Sequence, residues 1–155
     1  MNPAEKIAFK QALQQAAVQV IEARMAHIAS SMEAAQAAAN NEEKSSAGDK
    51  YETSRAMSHI EKDLQAGQLQ SNKQELAALT SIDCSVLQTT ARAGACIEAG
   101  NFYFFIAAGL GKQEIDGKRV FFLSAHAPLA LSLLNKKEGD CFLFGVKNLR
   151  IENLF

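Results

Sequence analysis

Three sets of side chains in this sequence are of types that do chemistry. The first is an acidic pair, Asp49 and Glu52, inside the run Gly48-Asp49-Lys50-Tyr51-Glu52-Thr53. Residues three apart on a helical turn share a side, so two carboxylates at that spacing can converge on one cation. Mg²⁺ suits such a pair, because it keeps much of its water and takes only one or two protein carboxylates beside phosphate oxygens. The same spacing also serves a plainer purpose, since acidic groups stabilise a helix near its N-terminus. In isolation the four residues from Asp49 to Glu52 favour that plainer purpose. The second set is Cys84, Cys96 and Cys141, odd in number, widely spaced and without a C-x-x-C pair. They read as reduced thiols acting as small apolar residues, not as a disulfide framework or a zinc site. The third set, His27, His59 and His126, is equally scattered. No pair has the spacing of a metal-binding helix, and none stands beside a nucleophile.

The bulk properties narrow the partners. Formal net charge is −1, from 16 basic and 17 acidic residues. No global field would hold such a chain on nucleic acid or an anionic membrane, which disfavours a direct nucleic-acid binder. Glu5, Lys6 and Lys10 interrupt the N-terminal apolar residues, leaving no signal-peptide core, and the chain is expected in the cytoplasm. The longest apolar run, Phe102 to Leu110, is about half of the roughly 18 residues a spanning helix needs. It reads as a buried strand, and no membrane partner is expected.

At 155 residues the chain suits one domain or two small ones. Its character changes near residues 80–84. Before that point it is rich in Ala and Gln, with Phe9 and Tyr51 as its only aromatics. After it come eight phenylalanines, Tyr103 and seven glycines, a composition suited to strands and turns. In the first part Val18, Ile21, Met25, Ile28, Met32, Ala35 and Ala39 recur in steps of three and four, the seam of a coiled coil. The pattern halts at Asn40-Asn41 and resumes at Met57, Ile60 and Leu64, with Leu69, Leu76 and Leu79 further on. A narrow stripe on each of two helices is buried most simply by an antiparallel hairpin. The expected helices run from about Ala4 to Glu43 and from Thr53 to Leu79, with an acidic tip near residues 42–53. The first would be about 60 Å long, and Asp49 and Glu52 would be exposed at its distal turn.

Beyond residue 84 the spacing predicts strands over 93–98, 102–107, 112–115, 118–123, 141–144 and 149–154. Asp116-Gly117 is the signal of a tight hairpin. Pro128, suited to a first helical position, opens one short helix closed by Lys136, Lys137 and Gly139. The fold class is therefore α+β: a helical hairpin over residues 1–80, then a β-sheet domain with one short helix over residues 84–155. Adjacent pairs such as Phe104-Phe105 and Phe121-Phe122 point to opposite faces, so one face is expected to offer aromatics to a partner.

The run Ser124-Ala-His-Ala-Pro128-Leu129-Ala-Leu-Ser-Leu133-Leu134-Asn-Lys136-Lys137-Glu-Gly139-Asp140 carries a resemblance. It is similar to the signature Ser-Pro-x-Ser-Pro-Leu-x-x-x-Leu-Leu-x-Lys-x-x-Gly-Asp of the Gre family of bacterial transcript-cleavage factors. The family's tip motif, Gly-Asp-x-x-Glu-Asn, is in register with Gly48 to Thr53, and the likeness spans nearly the whole chain. It implies an FKBP-like C-terminal domain that docks on bacterial RNA polymerase beside its secondary channel, and a coiled coil that reaches through that channel. Asp49 and Glu52 would then help hold a second Mg²⁺, shared with the polymerase, and so assist cleavage of backtracked RNA. The chain would not be an enzyme itself; the chemistry would be the polymerase's.

This sequence departs from the family at Thr53, where the family has Asn, and at Arg55 and Ala56, where acidic and aromatic residues follow. Those changes motivate an alternative, a Gre-like protein that occupies the channel and modulates the polymerase without cleavage. The family's Ser before the proline is Ala127, which removes an N-cap worth about 0.5–2 kcal/mol. A third reading, prolyl isomerisation, rests on the FKBP-like domain alone, and the chain has no Trp for the floor of such a pocket.

Overall fold

Asn2, Pro3 and Glu5 start the first helix. Glu5 N donates to Asn2 Oδ1 at 2.9 Å while Asn2 N donates to Glu5 Oε2 at 2.7 Å, a reciprocal cap that satisfies two donors, with Pro3 at the first helical position. From there α1 runs over Pro3–Glu43 and α2 over Gly48–Thr80. The computed structural model describes the backbone of residues 1–43 and 48–155 and the side chains of residues 1–41 and 56–155. Seven strands follow: β1 (Cys96–Ala99), β2 (Phe102–Ile106), β3 (Gly111–Ile115), β4 (Lys118–Leu123), β5 (Cys141–Phe144), β6 (Lys147–Arg150) and β7 (Asn153–Leu154), with α3 (Pro128–Leu133) between β4 and β5. The fold is α+β. No helix among the described residues is long and apolar enough to cross a membrane.

Contacts divide the chain into two units, one of Met1–Gln19 with Glu75–Phe155 and one of Val20–Gln74. The division cuts across both long helices rather than between helix and sheet. In the first unit a five-stranded sheet has the order β3-β4-β2-β1-β7, antiparallel except for the parallel pair β2–β4. Asp116 and Gly117, with φ of 51° and 73°, form the expected tight turn from β3 to β4.

Both faces of this sheet are covered. Ile97, Ala99, Phe104 and Ile106 face Ala130 and Leu133 of α3 and Phe142 of β5, with Phe121 stacked on Phe104 at 5.4 Å between ring centroids. The opposite face carries Cys96, Phe105 and Phe122, all buried, and Tyr103, whose ring meets Phe9 of α1 edge-on at 5.1 Å. The expectation that one face offers aromatics to a partner is thus overturned: the side chains do alternate between faces, but the first turns of α1 supply the second cover. The ends of the helices are joined there as well. Gln14 Nε2 donates to the carbonyls of Leu79 and Ile82, both at 2.9 Å, so a side chain of α1 holds the last turn of α2 and the residues just beyond it. Glu75 Oε2 accepts from Gly109 N at 2.9 Å, tying the loop after β2 to α2.

The expected last strand, over 149–154, is two. β6 pairs with β5 in a separate hairpin, and β7 joins β1 in the main sheet. At the switch Ile151 N donates to Asp140 O and Glu152 N to Glu98 O, so consecutive residues bond to different layers.

In the second unit α1 keeps the expected seam: Met25, Ile28, Met32, Ala35 and Ala39 are half-buried among exposed neighbours. On α2 the expectation holds at Leu69, which is half-buried, and fails at Met57, Ile60 and Leu64, which are exposed. The positions turned inward are Ser58, Gln65, Leu69 and Asn72.

Candidate functional site

Asp49 and Glu52 were expected in a turn, yet α2 already begins at Gly48, so both positions belong to its first two turns. Residues three apart in a helix share a side, and acidic residues there complement the helix N-terminus whatever else they do. Their side chains, with those of Thr53 and Arg55, lie outside the described residues. Among the described residues no three His, Cys, Asp or Glu side chains gather as a metal site. His27, His59 and His126 are all exposed and on separate elements.

The run from Ser124 to Asp140 forms the entry to α3, the helix itself and its exit. Ala127 is the N-cap with extended backbone, φ −62° and ψ 145°, and gives no side-chain cap, while Pro128 takes the first turn. Leu133 and Ala130 are buried in the core; Leu131 and Leu134 are exposed. The polar residues of the run serve the backbone. Asp140 Oδ2 accepts from Lys137 N at 2.8 Å, and Glu138 Oε1 accepts from Leu154 N at 2.9 Å. Gly139, at φ 90°, makes the turn between them.

A centre that the spacing arguments missed lies where α1 meets the sheet. Lys10 has no exposed surface, and its Nζ donates to Val86 O at 2.7 Å. Burial pushes its ammonium below the usual value of 10.5, opposed by nearby Cys84, Cys96 and Asp83. Burial likewise pushes the Cys84 and Cys96 thiols up. These thiols are therefore protonated and inert, as expected from their type, whereas Cys141 is exposed. The signal for Lys10 was present: it stands three and seven residues before Leu13 and Ala17, on the apolar stripe of α1. On the same sheet face Glu98 accepts from Tyr103 Oη at 2.8 Å and from Asn153 Nδ2 at 2.7 Å. Burial first, then that bond, raises the Tyr103 phenol above its usual range. The Lys118 ammonium lies 4.4 Å from the Phe9 ring centre and 5.1 Å from that of Tyr103. Lys10, Glu98, Tyr103 and Lys118 each have a partner and the two thiols are protonated, so this cluster joins helix to sheet instead of offering a free catalytic group.

No protein-family model, no curated protein and no solved structure matches the chain.

Proposed function

We propose that this chain is an accessory factor of bacterial RNA polymerase of the Gre type, which enters the secondary channel and stimulates cleavage of backtracked RNA. The observation that carries the reading is one of order. A helix of 41 residues is followed by one of 33 whose opening turns hold Asp49 and Glu52, and then by a mixed sheet whose α3 is framed by the Ser124–Asp140 run. The two helices would form the coiled coil, and the sheet the FKBP-like docking half. That half would need Met1–Gln19 as well as residues 84–155, because Phe9, Lys10 and Leu13 are buried with the sheet.

Two carboxylates three residues apart are a donor set that fits Mg²⁺ shared with a second protein, since phosphate oxygens and water complete its shell. Bound there, the ion would activate water and neutralise charge on the leaving oxygen. The chain's own task is to bring Asp49 and Glu52 to the polymerase and hold them at helical spacing. Thr53, Arg55 and Ala56 favour a second reading, in which the same helices fill the channel without promoting cleavage.

Backtracked elongation complexes separate the two. Asp49→Ala or Glu52→Ala should abolish stimulated cleavage with polymerase binding nearly unchanged, because the reading assigns anchoring to the sheet unit. Raised Mg²⁺ should partly rescue either single variant but not the double one. Binding by the wild-type chain without cleavage at any Mg²⁺ concentration would replace this reading with channel blocking, and absence of binding would remove both.

A further inference from the structure

The apolar residues of α2 fall out of phase with one another. Met57, Ile60 and Leu64 are spaced three and four apart, but Leu64 and Leu69 are five apart, about 140° around an α-helix at about 100° per residue. They cannot share one stripe. Leu69 is half-buried, whereas Met57, Ile60 and Leu64 are 66 %, 67 % and 63 % exposed. In their place Ser58 and Gln65 turn inward. Gln65 Oε1 is buried and, among the described residues, is the one such side-chain atom with no hydrogen-bond partner. Between Leu64 and Leu69 stands Gly67, the residue that, after proline, most weakens a helix interior. A Cβ added there would meet nothing within 4 Å, so no close packing calls for glycine.

These observations share one geometric solution. In a π-turn, with hydrogen bonds from i to i+5, residues five apart face the same side. One such turn across Leu64–Leu69 would leave Leu69 in place and rotate the segment before it by about one residue step, or about 100°. Met57 would then take the position of Ser58, and Leu64 that of Gln65. Met57 and Leu64 would turn toward α1, where Met25, Ile28 and Met32 are only half-buried now, Ile60 would take the exposed position of Glu61, and Gln65 would reach water.

We propose that the part of α2 before Gly67 is a two-register device. In the observed register it is a regular α-helix continuous with Leu69, and in the other a π-turn at Gly67 rotates Met57 and Leu64 onto α1. Regular helical hydrogen bonding favours the first register. Burial of two apolar side chains, Met57 and Leu64, and release of one unpaired amide oxygen favour the second. Helix continuity and side-chain burial thus oppose each other at a single glycine.

A nitroxide label at Met57→Cys, which the second register carries to the half-buried position of Ser58, tests this in the whole chain, with the exposed Cys141 replaced by Ser and a control lacking the introduced cysteine. The spectrum should contain a mobile and an immobilised component. Gln65→Leu, which makes the observed register apolar inside, should lower the immobilised-to-mobile ratio about tenfold. Deleting Gly67 shortens the Leu64–Leu69 step to four, so a regular helix then points Met57 and Leu64 inward and the label should be almost wholly immobilised. One component in the parent chain, two components whose ratio ignores Gln65→Leu, or a label still mobile after the deletion would each overturn the proposal.

Discussion

Replacing Lys10 with Met should leave the protein as stable as before or stabilise it, by up to about 3 kcal/mol at neutral pH. Lys10 is fully buried, and the ammonium makes one hydrogen bond, to Val86 O at 2.7 Å. Removing that bond leaves the carbonyl unpaired, which costs about 1–3 kcal/mol in a dry site. Val86 is itself exposed, so water can reach the vacated carbonyl and the cost belongs at the lower end. Against this, holding a desolvated ammonium costs several kcal/mol, and Met keeps the unbranched apolar stem. Lys10→Ala is the contrast, since losing the stem opens a cavity and should destabilise by about 2–5 kcal/mol. The pH dependence checks the cause. The folded-state value for Lys10 lies below 10.5, so between that lowered value and 10.5 the unfolded chain binds more protons. Wild-type stability gains from this site as pH rises through that window, and the advantage of the Met variant should shrink. Urea unfolding followed by circular dichroism at pH 7 and pH 10 gives both numbers. A Met variant less stable by more than about 2 kcal/mol, with the same gap at both pH values, would refute the reasoning.

Two further expectations follow from described contacts. Ala127 has the extended backbone of an N-cap but no capping side chain, so Ala127→Ser should raise stability by about 1 kcal/mol, read as a higher urea midpoint; an unchanged midpoint would mean that the donors of α3 are already satisfied. The Cys84 and Cys96 thiols are raised from the usual 9.0, so the folded state holds protons that the unfolded chain gives up above that pH. Their contribution is whole below about pH 9 and is lost as pH rises further, against the opposite trend of Lys10. In Lys10→Met the midpoint should therefore fall between pH 8 and pH 10, and an equal fall after Cys84→Ala and Cys96→Ala are added would assign the loss elsewhere.

Local chemistry made much of the fold legible. The Asp116-Gly117 turn and the strands on either side of it stand where the turn residues place them. The short helix opens at Pro128 as expected but ends at Leu133, before Lys136, Lys137 and Gly139 that were expected to close it, with Asn135 at φ 66° turning the chain away. The seam of α1 was equally plain, because its three-four spacing is unbroken. The α2 seam differs from its pattern through one number: the five-residue step from Leu64 to Leu69 puts on separate sides of a helix two stripes that three-four spacing would join. Other features lay beyond local pattern. The split between β6 and β7 is set by Asp140 and Glu98, distant partners that no spacing rule connects. The cover that Phe9 gives the sheet is of the same kind. As for Asp49 and Glu52, helical spacing tells that they share a side. What they hold depends on a partner's chemistry, which the fold of this chain does not encode.

The layer that closes the sheet joins residues nearly 150 positions apart, and this has a kinetic consequence. Phe155 exchanges two backbone hydrogen bonds with Cys96, its ring lies 6.4 Å from that of Phe9, and Lys6 sits over it at 5.1 Å. Phe9 must therefore wait for residue 155, made much later, to leave the ribosome before this cover is complete. Such contacts of long sequence separation form slowly because loop closure is opposed by entropy until it completes. During synthesis α1 can coil early, but Phe9 and Leu13 stay open to chaperones or to another nascent chain until the final strand arrives.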